Sequence, residues 1–287
     1  MRFLNELMYR ESYATARKPL WVLAMRHQEI ERGVALISPR SNMRADKSSR
    51  DVTAMQLTPY VEDRIWLCAY PVRLAGTTFD ARMTVVRQAS GHLMLHSPCE
   101  ITRAIAEEIA ALGSVAHIVA PGNFHHMFVA SAQAAFPAAR TWICPGVEKR
   151  SPGLKYDGVL GDVTPPDWAG EIDQVLVRGT RIMREVAMFH RASRTLILVD
   201  LIENFTDATP HIGGALKFWF KYVLRMWDNP RPAPEYRMGW SNRTEAAGSL
   251  RRILAWDFER IVLSHGDLIG RDARDVAARA WSGVLDR

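Results

Sequence analysis

An apolar run, Val115-Ala116-His117-Ile118-Val119-Ala120, stops at Pro121-Gly122 and is followed at once by Asn123-Phe124-His125-His126. A run of this length bounded by turn residues reads as a buried strand, and the polar residues after it mark the strand end as a site. Open α/β sheets keep much of their chemistry at such ends. A pair of histidines alone is equally compatible with capping or core packing, because neutral imidazole is often simply hydrogen-bonded. The site reading therefore depends on other ligand-type residues falling at similar strand ends.

With 287 residues, 48% of them hydrophobic, the chain can bury a large core, and no linker divides it into two domains. The expected organisation is an N-terminal extension over residues 1–52 and one domain over residues 53–287. The net charge is +6, but residues 1–51 hold ten Lys/Arg against six Asp/Glu and so supply four of the excess charges. The basic tract has no interleaved aromatic residues between Arg40 and Arg50, so it reads as solvated and nucleic acid is not an expected partner.

Cys68, Cys99 and Cys144 are odd in number and lack C-x-x-C spacing, which disfavours a disulfide framework and a thiolate zinc site. A reducing, cytoplasmic compartment is expected. The N-terminus lacks an uninterrupted apolar region of the secretory type. No stretch reaches the ~18 apolar residues of a membrane span, and the nearest, Ile212 to Trp227, is broken by Lys217, Lys221 and Arg225.

Short β-rich runs occur at Ile65–Val72, Met83–Arg87 and His92–His96, the last two joined by a hairpin-like Gln88-Ala89-Ser90-Gly91. Helical spacing follows over Glu100–Leu112, stopping at Gly113, and again over Met127–Phe136. Strands are expected at Thr141–Cys144, Ile172–Val177, Glu185–His190, Thr195–Val199 and Arg260–Leu263. Ile212–Trp227, Glu245–Ala255 and Ala273–Leu285 read as helices.

Three of these strands lead to metal-ligand residue types. Val115–Ala120 leads to His125 and His126, Leu196–Val199 to Asp200, and Ile261–Leu263 to His265. Strand ends pointing the same way bring side chains together from distant parts of a chain. His190 is excluded from the set: if its strand pairs with Thr195–Val199, it lies at the opposite end from Asp200, about 16 Å away at ~3.3 Å per residue.

The order MTVVR…GHLMLHSP, a helix, HIVAPGNFHHMF, SRTLILVD and IVLSHGD resembles the metallo-β-lactamase superfamily over about residues 55–286, and more closely a little-characterised branch of it. The resemblance implies an αββα sandwich, two mixed sheets flanked by helices. In the general family the strand after the first helix ends in H-x-H-x-D-H, a further His follows a later strand, an Asp bridges two metals, and a last His closes the second site. Here Pro121 and Asn123 stand at the first two His positions, His125 at the Asp position and His126 at the final His. Thr180 falls where the mid-chain His belongs, while Asp200 matches the bridging Asp and His265 the closing His.

One metal site has thus lost its three histidines, and a two-metal hydrolytic centre is not expected. What the resemblance implies is a single divalent ion, Zn, Fe or Mn, held by His125, His126, Asp200 and His265. The functional expectation is hydrolysis of an unidentified small molecule by a metal-bound water, with Asn123 and Thr180 as catalytic hydrogen-bonding groups. The alternatives are a mononuclear iron-dependent oxidoreductase, and a binding or assembly protein that has lost the two-metal centre.

Overall fold

Alternation at a period of two sorts the strand residues of this chain between two hydrophobic layers, and that sorting builds the architecture. The computed structural model describes residues 55–74 and 77–286; the expected extension over residues 1–52 lies outside them. Strands β1 (Thr58–Val61), β2 (Ile65–Leu74), β3 (Thr77–Arg87), β4 (Leu93–His96), β5 (Val115–Ala120), β6 (Arg140–Ile143) and β7 (Gly158–Val159) form one sheet in chain order. A second sheet has the order β11-β10-β9-β8, from β8 (Ile172–Leu176), β9 (Val186–His190), β10 (Thr195–Leu198) and β11 (Arg260–Leu263). Both are mixed: β4 to β7 run parallel and β3 antiparallel to β4, while β10 and β11 are parallel and β8, β9 and β10 antiparallel.

Among the described residues the α-helices are α1 (Arg103–Leu112), α2 (Val129–Ala135), α3 (Val147–Arg150), α4 (Gly214–Phe218), α5 (Pro234–Gly239), α6 (Arg243–Leu254) and α7 (Ala273–Leu285). Helix α1 starts three residues after the expected Glu100, because the Thr102 side chain accepts from the Ile105 N–H and so caps it there. The expected long helix over Ile212–Trp227 is shorter in the structure. After α4 the chain widens into a π turn, Trp219–Val223, which closes with Leu224 N–H donating to the Trp219 carbonyl at 2.8 Å.

Val186 and Met188 of β9 and Ile197 of β10 face the first sheet and pack with Met83, Val85, Leu93 and Ile118. Their neighbours Ala187, Phe189, Leu196 and Leu198 face the other way, against Leu250 and Ile253 of α6 and Ala277 and Trp281 of α7. This is the αββα sandwich. Each fully buried aliphatic side chain stabilises it by about 1.5–3 kcal/mol. Because β4, β5, β10 and β11 all end at the same edge of the sandwich, the residues that follow them converge.

His190 closes β9 at the opposite edge, opposite Thr195 in register. Ser193 Oγ donates to Thr195 Oγ1 at 2.8 Å, so it accepts from His190 Nδ1–H at 2.7 Å. Burial, with the Arg64 charge behind it, pushes this histidine down to about 4 from its ordinary 6.5. An unfolded chain therefore takes up a proton between pH 6.5 and 4 that the folded chain refuses, and stability falls as the pH drops through that window. Urea titrations of His190→Asn should show a shallower loss there than the native chain, by up to about 1.4 kcal/mol per pH unit. Parallel curves for the two proteins would refute the assignment.

Candidate metal centre

The end of β5 is stitched to the start of β9. Val186 N–H donates to the Pro121 carbonyl at 2.7 Å and Asn123 N–H to the Arg184 carbonyl at 3.0 Å. The Asn123 side chain completes the seam: Oδ1 accepts from Arg184 N–H at 2.8 Å and Nδ2 donates to the Ile182 carbonyl at 3.0 Å. Gly122 fits there because it has no Cβ, which would lie 3.3 Å from both the Arg184 carbonyl oxygen and Val199 Cγ2. The turn continues with His125 N–H donating to the Gly122 carbonyl, which carries the His125 ring over the strand ends.

His125, Asp200 and His265 each place one ligand-type atom within 4.8 Å of the others. His125 Nε2 is 3.2 Å from both Asp200 oxygens, and His265 Nε2 is 3.5 Å from Oδ1. The two rings lie 5.2 Å apart between centroids, with 51° between their planes. Each remaining ring nitrogen is engaged, His125 Nδ1 with Ser97 Oγ at 2.8 Å and His265 Nδ1 with the Asp80 carbonyl at 3.2 Å. Ser97 reaches His125 from the end of β4, where its backbone takes a left-handed φ of 53°. The edge of Phe79 packs on His265 at 5.2 Å.

Burial opposes ionisation of Asp200, but the His125 charge and hydrogen bond, with His265, outweigh it and hold the carboxyl below the usual range. Burial also works against charged His125, yet Asp200 raises that imidazole above its ordinary value. His265 goes the other way. Burial pushes it down to about 4, and the attraction of Asp200 recovers only part.

A third carboxylate shapes the centre without joining it. Glu185 is 1% exposed, and its oxygens accept the backbone N–H groups of Val199, Asp200 and Leu201 at 2.7, 2.9 and 2.8 Å. Burial and the Asp200 charge push it up to about 7 against the pull of those donors. An acid at the start of an apolar strand was the available signal for it in the sequence. Arg82 Nη1 and Nη2 donate to the Leu263 and Gly266 carbonyls, on either side of His265.

The other expected site residues stand as follows. His126 is outside the three-residue group; it lines a neighbouring cleft of about 500 Å³ with Gln133, Ser151 and Lys155, and its buried Nδ1 has no partner among the described residues. Adjacent residues in a tight turn project in different directions, so His125 and His126 face different spaces. Asn123 has both amide groups engaged in the seam. Thr180 pairs with Trp240 in an isolated bridge, and its buried hydroxyl has no hydrogen-bond partner among the described residues. Cys68, Cys99 and Cys144 are buried free thiols. None of the described helices is long and apolar enough to cross a membrane.

The three-residue group meets the chemical requirements of a metal centre. A carbonyl oxygen only accepts, so the Asp80 contact puts the His265 proton on Nδ1 and leaves Nε2 as a bare lone pair. That lone pair faces an Asp200 oxygen at 3.5 Å, two acceptors that a cation between them would reconcile. Ligating histidines characteristically have the other ring nitrogen held by such a partner.

Solved structures share the fold at low identity. A metallo-β-lactamase from Pontibacter korlensis superposes with a TM-score of 0.55 at 11% identity, covering 82% of this chain and 100% of its own. One from Erythrobacter litoralis gives 0.53 at 15%, covering 81% and 95%. The mono-zinc form of the metallo-β-lactamase FIM-1 from Pseudomonas aeruginosa gives 0.52 at 10%, covering 80% and 96%. No protein with a curated description matches the chain. The model of the family described as "Domain of unknown function (DUF4336)" matches residues 62–241, more than half of the sequence, so the chain belongs to that family, here carried on the metallo-β-lactamase fold.

Proposed function

We propose that the protein is a metal-dependent hydrolase of a small molecule, with one divalent ion held by His125, Asp200 and His265. The observation that carries this reading is the bare Nε2 of His265 set against the Asp200 carboxylate, with His125 Nε2 completing the triangle. A divalent ion bound there would supply Lewis acidity, polarising a carbonyl or phosphoryl oxygen and acidifying a coordinated water. The protein's own groups do the rest. Ser97 and the Asp80 carbonyl hold the two imidazoles in place, and Glu185 fixes the backbone from which Asp200 projects. Asn123 is assigned to positioning the turn, and Thr180 to the substrate side of the centre.

Two imidazoles and one carboxylate also make up the ligand set of non-haem Fe(II) oxygenases, which keeps iron-dependent oxidation as a second reading. Elemental analysis of protein purified without an affinity tag, followed by anaerobic titration with Zn(II), Mn(II) and Fe(II), separates the two. One ion per chain is expected, with His265→Ala weakening the affinity on the order of 100-fold or more and Ser97→Ala about 10-fold. Failure of the native chain to take up any of the three metals would end the hydrolytic reading. Iron uptake accompanied by dioxygen consumption would favour the second.

A further inference from the structure

The segment between β10 and β11 carries a surface that the metal centre does not use. From Ala208 to Trp227 the sequence has no acidic residue, and it includes Lys217, Lys221 and Arg225. Leu216, Phe220 and Leu224, spaced four apart, turn inward and anchor α4 and the π turn on Phe205 and Trp227. The other side stands in solvent: Phe218 is 56% exposed, Trp219 38%, Tyr222 64% and Val223 48%. Phe218 and Tyr222 touch at 5.3 Å between ring centroids, so the exposed apolar residues are contiguous. Contiguous apolar exposure of this kind marks an interaction surface.

We infer that this face docks the protein on an anionic lipid bilayer, with the four apolar side chains entering the interface and the basic residues meeting the headgroups. Trp and Tyr interleaved with Lys and Arg on one short helical segment is the composition of an interfacial anchor. Charge complementarity selects the occupant. Lys217 is paired with Asp207 at 2.6 Å, while among the described residues no ion pair engages Lys221 or Arg225. The exposed Arg237 adds to the basic rim, since its guanidinium donates to the Leu224 carbonyl at 3.2 Å. A two-fold contact with a second copy would oppose these cations to themselves, which is unfavourable. Nucleic acid would use aromatic faces for stacking but gains nothing from Val223.

The surface is coupled to the centre by packing, not by chemistry. Phe220 packs edge-on against Phe205 at 4.8 Å, Phe205 against Phe79 at 6.4 Å, and Phe79 against His265 at 5.2 Å. The inference stands independently of the hydrolytic reading, because lipid docking requires neither metal nor turnover.

Co-sedimentation of the full chain with vesicles tests it. Binding to phosphatidylcholine–phosphatidylglycerol vesicles is expected, with little binding to phosphatidylcholine alone and a decline as salt is added. The combined change Phe218→Ser, Trp219→Ser, Tyr222→Ser and Val223→Ser should lower the partition coefficient at least about tenfold, and Lys221→Glu with Arg225→Glu by a similar factor, since each basic residue near an anionic surface contributes about 1 kcal/mol. Circular dichroism checks that the variants keep the fold, and the charge variant decides the matter if the apolar one does not. Absence of native binding overturns the inference. So does binding that both variants retain, which would assign it to the basic residues 1–51, or native self-association in sedimentation velocity that the apolar variant abolishes.

Discussion

Glu185→Ala should destabilise the protein on the order of 4 kcal/mol and abolish stable metal uptake with it. The substitution strands three buried N–H donors, those of Val199, Asp200 and Leu201, each costing about 1–3 kcal/mol when left unpaired. Loss of an unfavourably buried charge returns part of that cost. Because whole domains are stable by only about 5–15 kcal/mol, the effect is large. Glu185→Gln should fall between the two. Its single oxygen can replace Oε2, which serves Asp200 and Leu201, while its NH2 group would meet the Val199 donor head-on. Urea unfolding and metal titration of the two variants provide the measurement. An alanine variant with the native unfolding midpoint would show that the carboxylate does not hold this strand end.

The second large effect is expected at Gly266, next to His265. Its φ is +81°, and a Cβ there would lie 2.1 Å from the Asn204 carbonyl oxygen, a distance no side chain tolerates. An L-residue in this region costs about 1–2 kcal/mol before any clash, and the neighbouring atoms are backbone that cannot simply rotate away. Gly266→Ala is therefore expected to lose about 3 kcal/mol or more and to weaken metal binding. Relief of the clash must move the strand that Arg82 brackets and the Asn204 contact to Asp267 N–H. Gly270, with open space around it and no positive φ, is the matched control, and Gly270→Ala should change stability by less than about 0.5 kcal/mol. Equal stability of the two variants would refute the argument.

Both positions show how a centre of this kind is supported. The three ligand-type residues come from three strand ends far apart in the chain, and what keeps them in register is mostly backbone hydrogen bonding to buried groups. Asp267 stands two residues after His265, near enough in sequence to suggest a role in orienting that ring. It instead accepts the hydroxyls of Thr206 and Thr209 and ties down the loop after β10. The orienting group for His265 is the Asp80 main-chain carbonyl, in β3.

Residue order alone showed the strands and the ligand-type residues that follow them, and the resemblance those motifs carry implied the sandwich. Apolar periodicity is a local property, and a strand that ends in a ligand-type residue announces both its burial and its exit. The same arithmetic of strand rise kept His190 out, at the far end of its hairpin. Only the tertiary structure decided that His125 faces Asp200 while His126 faces another cleft, because the directions of adjacent side chains depend on turn torsions that composition does not specify. It alone also decided that Ser97, Glu185 and the Asp80 carbonyl complete the support. A carbonyl oxygen belongs to every residue and carries no signature in a sequence, and a buried carboxylate becomes recognisable only when the donors it accepts have been brought to it by the fold.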